Sequence, residues 1–335
     1  MTAVSIKDIA RLANVSHSTV SRALRDSPLI PASTRERIQL IAKQQGYSAS
    51  AIARSLVTRK TYAIGVVVTS IADPFNGEVV SGIEEIGNKA GYSVVLATSQ
   101  ADPEREMALV RSFKERRVDG VLVASSRVGA LYAESLAGLQ IPIVLLNNQH
   151  PGDFVHSITI DNVNGAERAT RHLAGLGHKK IAYIGDRLGM QSDTERYEGY
   201  KRGLRESGIR FQKQYVARGN GKPDGARESA KQLLGLENAP TAIFCYNDMS
   251  ALGVLEETAR RGLQIPRDVS VCGFDDLFFT PFLNPPLTTI HQPKREMGQQ
   301  AMELLLNVLA GEQQKKTIQI KGELIIRKST AHPRA

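Results

Sequence analysis

The spacing of apolar and polar positions changes its period once along the chain, near residue 61. Before that point, Ile6, Ile9, Ala10 and Ala13 recur at the i, i+3, i+4, i+7 interval of a helix face, and Val20, Ala23 and Leu24 form a second such face. Ser5, with Asp8 three residues on, has the form of a capping box; Asn14 breaks the run, and Ser16 is placed to cap a second helix. After the turn-rich RDSPLIPAS, Ser33 is expected to cap a third helix to about Gln45, with Ile38, Ile41 and Ala42 inward and Gly46 as terminator. SASAIARSLVTRK (48–60) reads as a further helical piece too short to stand alone in water, and is expected to order only on docking.

From Thr61 the pattern becomes near-continuous Val/Ile/Leu runs separated by helix-length segments, as parallel strands covered on both faces require. The expected strands are 62–68, 92–98, 120–125, 141–147 and 157–161, then 180–185, 215–219, 241–246 and 269–274. LTTIHQP, a helix from about Lys294 to Leu309 and a closing strand pair in TIQIKGELIIR complete the chain. Two rounds of the same rhythm predict an α/β molecule: a three-helix headpiece (1–47), a linker (48–60) and two doubly wound lobes, 61–161 with 291–321 and 162–290 with 322–335. The cleft between the lobes is the expected ligand site. The strand ends there are polar: DPFN (73–76), Ser125-Ser126, Asn147-Asn148, Asn247-Asp248 and Asp275-Asp276.

At 335 residues the chain is long for one core, and its composition, 41% hydrophobic and 23% charged, is that of a soluble globular protein. No apolar run is long enough for a membrane span or a secretory signal, so a cytoplasmic protein with no membrane partner is expected. Cys245 and Cys272 lie inside apolar runs and read as buried thiols. The net charge of +9 is unevenly spread: residues 1–60 hold ten Lys or Arg against three acids, the remainder 33 against 31, the footprint of a nucleic-acid-binding head on a nearly neutral body. Phosphate-loop, GxSxG and zinc spacings are absent, GNGKPDG lacks the GxGxxG interval, and His172, His178 and His291 lie scattered as surface or capping residues. An enzyme is therefore not expected, nor any cofactor or metal.

On the second helix, His17, Ser18, Ser21, Arg22 and Arg25 fall within about 140° of each other, opposite the apolar side. Short polar side chains and a guanidinium able to grip guanine O6 and N7 suit a helix in the major groove; the competing reading is the solvated face of an ordinary helical hairpin. IKDIARLANVSHSTVSRAL, TRERIQLIAKQQGY and AIARSL, in this order, resemble the lactose and galactose repressor family of bacterial transcription regulators. Weaker echoes run on through DPFN, VDGVLV, IDN, LGHKKIAYI, ERYEGY, GFDD and NPPLTTI, so that the resemblance covers essentially the whole chain.

The resemblance implies a repressor that binds a palindromic double-stranded operator as a homodimer. His17, Ser18 and Arg22 would read bases, Ser16, Thr19 and Ser21 would meet phosphates or cap, Ser5 would sit at the first helix start, and Ser50, Ala53 and Leu56 would serve the minor-groove hinge. It also implies an effector site of Phe75, Asn76, Ser126, Asn147, Asn148, Ser192, Arg196, Asn247 and Asp275, with Arg196 and Asp275 clamping hydroxyls. A sugar or sugar derivative is the expected effector, with a nucleoside or purine as the alternative. The sequence departs from the family at Ala49-Ser50, usually Pro-Asn, and at Gly221, often an aromatic. An inter-lobe salt bridge is the competing reading of Arg196 and Asp275. A periplasmic-type sugar receptor would account for the lobes but not for residues 1–60, and no heptad run suggests a coiled-coil tail.

Overall fold

A computed structural model describes residues 4–24, 26–47, 60–126, 128, 141–148, 156–312 and 316–334. The chain divides into two compact units, Met1–Thr61 and Tyr62–Ala335.

In the first unit, α1 (Ile6–Leu12), α2 (His17–Ala23) and α3 (Ala32–Gln44) bury Ile9, Val20, Ala23, Ile38 and Ala42 against one another. The capping box is formed: the Ser5 amide donates to Asp8 Oδ2 at 3.0 Å, and the Asp8 amide to Ser5 Oγ at 3.4 Å. Asn14 ends α1 at φ +47°, where the Val15 amide reaches back to the Ala10 carbonyl. The Thr19 amide donates to Ser16 Oγ at 3.1 Å, so Ser16 caps α2. Ser33 does not cap α3. The Pro31 carbonyl already accepts from the Arg35 amide, the helix begins at Ala32, and Ser33 falls inside the first turn. Gly46, at φ +61°, terminates that helix, and the Tyr47 amide donates to the Ala42 carbonyl. Residues 48–59, where the further helical piece is expected, lie outside the described residues.

The second unit carries two lobes built on the same strand order. The first has β1 (Ala63–Val68), β2 (Ser93–Thr98), β3 (Gly120–Ala124), β4 (Ile143–Leu146) and β5 (His156–Ile160), joined by β11 (Lys316–Ile320) in the order β11-β5-β4-β3-β1-β2. Every pairing is parallel. Helices α4 (Pro74–Lys89), α5 (Pro103–Glu115) and α10 (Lys294–Leu309) cover it. The second has β6 (Ile181–Asp186), β7 (Val216–Gly219), β8 (Ala242–Cys245) and β9 (Ser270–Cys272) in the order β7-β6-β8-β9, also parallel. Around it pack α6 (Asn162–Gly175), α7 (Gln191–Glu206), α8 (Pro223–Leu233) and α9 (Asp248–Arg260). Both faces of the central strands β1, β3, β4, β6 and β8 are buried, which is why these run apolar rather than alternating, whereas the edge strand β2 leaves Val95 and Leu96 exposed.

The expected closing strand pair is not one. β11 runs parallel to β5 in the first sheet, whereas β12 (Glu323–Ile325) pairs antiparallel with β10 (Thr289–His291) beside the second lobe. Lys321-Gly322 carries the chain across, and a Cβ at Gly322 would stand 2.7 Å from Ile290 Cγ2, so a side chain there would force Ile290 to shift. The chain thus crosses between lobes three times, after Ile160, after His291 and after Ile320. No helix among the described residues is long and apolar enough to span a membrane.

Candidate functional site

In the headpiece, α2 turns Val20 and Ala23 into the core and leaves His17, Ser18 and Arg22 exposed, with Thr19 and Ser21 half-buried. Ser16 caps the helix, and its Oγ also lies 2.7 Å from Ser18 Oγ and 2.9 Å from Thr19 Oγ1. The third helix braces this element: Arg37 donates to the Ala13 carbonyl at 3.0 Å and Gln39 to the Ala23 carbonyl at 3.3 Å. Ser5 is committed to Asp8, its hydroxyl donating at 2.7 Å, and serves α1 as a cap. The face thus offers two donor-acceptor side chains and one guanidinium from a rigidly held helix, the chemistry that base edges require. Arg25, Ser50, Ala53 and Leu56 lie outside the described residues.

In the second unit the polar groups gather at the carboxyl ends of the strands, where the strand order of each sheet reverses. Arg196, on α7 and 5% exposed, is the centre of the second lobe's share. Its Nε donates to Asn162 Oδ1 at 2.9 Å and its Nη1 to the Tyr246 carbonyl at 2.6 Å, and Asp275 Oδ1 lies 3.6 Å from Nη1. The guanidinium stacks 3.7 Å from the Phe274 ring centroid and 4.8 Å from that of Tyr246. Ser192 Oγ is 2.8 Å from the Tyr246 hydroxyl, and Asn247 caps α9 while its Nδ2 donates to the Gly221 carbonyl at 3.0 Å. Arg196 and Asp275 both belong to the second lobe, so their pair is not an inter-lobe salt bridge.

The first lobe contributes a looser set. Asp73 caps α4 and holds the Phe75 amide at 3.0 Å, while Phe75 packs on the lobe's core. Asn76 is buried, and its Nδ2 donates to Thr69 Oγ1 at 3.1 Å and the Ser70 carbonyl at 2.8 Å, which fixes the loop after β1. Ser126 is fully buried and donates to Glu106 Oε1 of α5 at 2.5 Å. Asn147, at φ +45°, and Asn148 follow β4, both half-buried.

Burial pushes the Asp275 carboxyl up to about 6 against the pull of Arg196, with Asp73 across the cleft pushing the same way. Burial raises Asp73 as well. Asp276 is half-buried, yet hydrogen bonds from His291 at 2.9 Å and Arg327 at 2.7 Å overcome that burial and hold its carboxyl far below the ordinary range. Asp248, fully buried between Thr289 Oγ1 at 2.6 Å and the Leu277 amide at 2.8 Å, is raised well above it. Asn162, Tyr246 and Phe274 escaped sequence reasoning, although Asn162 and Phe274 stand in the IDN and GFDD echoes.

The three histidines do no shared chemistry. His178 is buried, not at the surface as expected, with Nδ1 2.9 Å from Thr241 Oγ1 and Nε2 3.0 Å from Ser270 Oγ; burial lowers its pKa, so it is a neutral core residue. Cys245 and Cys272 are both fully buried free thiols. Among the described residues, no cluster of His, Cys, Asp or Glu could hold a metal ion.

The family model for bacterial regulatory proteins of the lacI family matches residues 5–50, and that for periplasmic binding protein-like domains matches residues 170–330. The HTH-type transcriptional repressor PurR of Haemophilus influenzae strain PittEE is 37% identical over 97% of this chain and 98% of its own length. Among solved structures, the lac repressor dimer bound to operator and the anti-inducer ONPF superposes with a TM-score of 0.90 at 27% identity, over 98% of this chain and 100% of that one. The transcriptional regulator CelR in complex with cellobiose gives 0.75 at 27% identity, over 97% and 99%.

Proposed function

Since the chain belongs to the lacI family of bacterial regulatory proteins, we propose that it acts as a cytoplasmic dimer on a near-palindromic operator, each α2 reading one half-site. It is a ligand-responsive, DNA-binding transcriptional repressor and not an enzyme. His17, Ser18 and Arg22 take the base edges and Ser16, Thr19 and Ser21 the phosphates or the cap. Ser50, Ala53 and Leu56 complete the hinge contact.

The effector binds between the lobes against Arg196 and Asp275, lined by Phe75, Asn76, Ser126, Asn147, Asn148, Ser192 and Asn247. We assign it to the purine class, nucleobase or nucleoside, in preference to a free sugar. The observation that carries this is the full-length likeness to repressors named PurR. The chemistry agrees: a guanidinium donates to O6 and N7 of a purine, a carboxylate accepts from its ring N–H, and Phe75 and Tyr246 are flat surfaces for a planar base. A carbohydrate is the second reading, supported by the cellobiose complex of a structural neighbour and by the way an Arg–Asp pair grips vicinal hydroxyls.

Thermal shift against guanine, guanosine, ribose and cellobiose separates the readings, since a ligand of the folded state raises the melting temperature with concentration. Guanine or guanosine should raise it, and Arg196→Ala should abolish the rise. A response to the sugars alone would transfer the assignment to the second reading.

A further inference from the structure

Lys294 begins α10 at the middle of the three crossings, and its side chain is 1% exposed, an unusual position for an ammonium. All three of its N–H groups are used, on the carbonyls of Asp275 at 2.8 Å, Asp276 at 2.8 Å and Gln292 at 3.3 Å. Asp275 and Asp276 take φ +118° and +54°, conformations that a non-glycine residue keeps only where the surroundings enforce them. The ammonium supplies that enforcement.

Lys294 reaches from α10 of the first lobe to carbonyls of the second, and its charge is balanced from its own lobe. Glu78 Oε1, on α4 one turn beyond Phe75, lies 3.6 Å from Nζ, too far for a hydrogen bond, and this buried oxygen has no other hydrogen-bond partner. An ammonium with its weakest bond at Gln292 thus faces a carboxylate oxygen that lacks a donor. A shift of well under 1 Å exchanges the first bond for the second, and a charged acceptor makes the stronger bond.

We propose that Lys294 and Glu78 form a two-position latch at the joint between the lobes, through which occupancy of the site at Asp275 in the second lobe sets the position of the first lobe, whose α4 and α10 pack backbone to backbone at Gly82 and Gly298. Lys294 is a positioning residue: it holds the backbone whose side chain grips the effector, and it trades Gln292 for Glu78 as the lobes close. Both ends of the coupling bias one discrete element, the physical requirement for transmission between sites. The inference rests on the effector reading of the cleft.

The test is a double-mutant cycle of Glu78→Gln and Lys294→Met in the full chain, read twice. Without ligand, the melting-temperature shifts of the two substitutions should be non-additive; strict additivity overturns the pairing whether or not any ligand binds. With guanosine and ribose as probes, and a duplex selected from a random pool by the unaltered protein, the second reading is the ratio of operator Kd with and without probe. That ratio, about 5- to 150-fold for an allosteric pair, should collapse toward one in Glu78→Gln while the probe still binds. An unchanged ratio in a variant that binds the probe overturns the latch. Failure of both probes to shift the unaltered protein counts against the effector assignment alone, and the ligand-free cycle then decides the latch. Glu78 is partly exposed, so its variant remains informative should Lys294→Met not fold.

Discussion

Five groups share the Arg196 guanidinium: the side chain of Asn162, the Tyr246 carbonyl, the Asp275 carboxylate and the rings of Phe274 and Tyr246. Asp275 is the one whose charge is held in reserve, because its carboxyl gives up its proton only near pH 6. A ligand that donates to this carboxylate needs it ionised. Effector affinity should therefore climb between pH 5 and 7, level off above that, and lose this dependence in Asp275→Asn, as calorimetric titration at several pH values would show. For stability the sign is opposite. The folded state keeps a proton that an unfolded aspartate releases near 3.9, so this group's contribution falls as pH rises from about 4 to about 6. At the other site, Arg22→Ala should cost about 1–3 kcal/mol on the operator and relax one base position. Equal losses on operator and random DNA would reduce Arg22 to a phosphate contact. Arg196 and Asp275 were legible because each stands in a recognisable string, ERYEGY and GFDD. Tyr246 was not, since it contributes a carbonyl and a ring face that only the fold brings to Arg196.

Elements were legible where their signal was local. The caps at Ser5 and Ser16 and the stops at Asn14 and Gly46 formed as their residue types dictate. Ser33 was misleading because Pro31, two residues earlier, has a carbonyl free to begin the helix. The pairing of β11 and β12 was out of reach for a different reason: the two strands adjoin in sequence, yet each finds a partner more than 30 residues away. Helix contacts show the same dependence on remote partners. A Cβ at Gly199 of α7 would overlap the Val163 carbonyl and stand 2.8 Å from Ala166 Cβ of α6. Gly199→Ala should therefore push the two helices apart and cost about 1–3 kcal/mol in urea unfolding. A melting curve matching the unaltered protein would show that the contact yields freely.

At the scale of the molecule, the change of period near residue 61 and the break in charge were the clearest signals, and the division at Thr61 follows them. The repeated strand order was legible as rhythm, and so was the return of residues 291–321 to the first lobe, while the parallel pairing of 316–320 with β5 was not, because its partner lies far off along the chain. Deleting residues 1–60 should leave effector binding and cleft stability intact and abolish DNA binding, measured by thermal shift and gel shift on one preparation. Retained operator binding would contradict the assignment of the headpiece.

Occupancy of the cleft should change how tightly the headpiece holds its operator. A titration of selected operator duplex, by fluorescence anisotropy at fixed salt with and without saturating guanosine, tests it most directly. Operator Kd values should differ by about 5- to 150-fold in the unaltered protein and not at all in Arg196→Ala. Identical operator affinity at full occupancy of the cleft would contradict it.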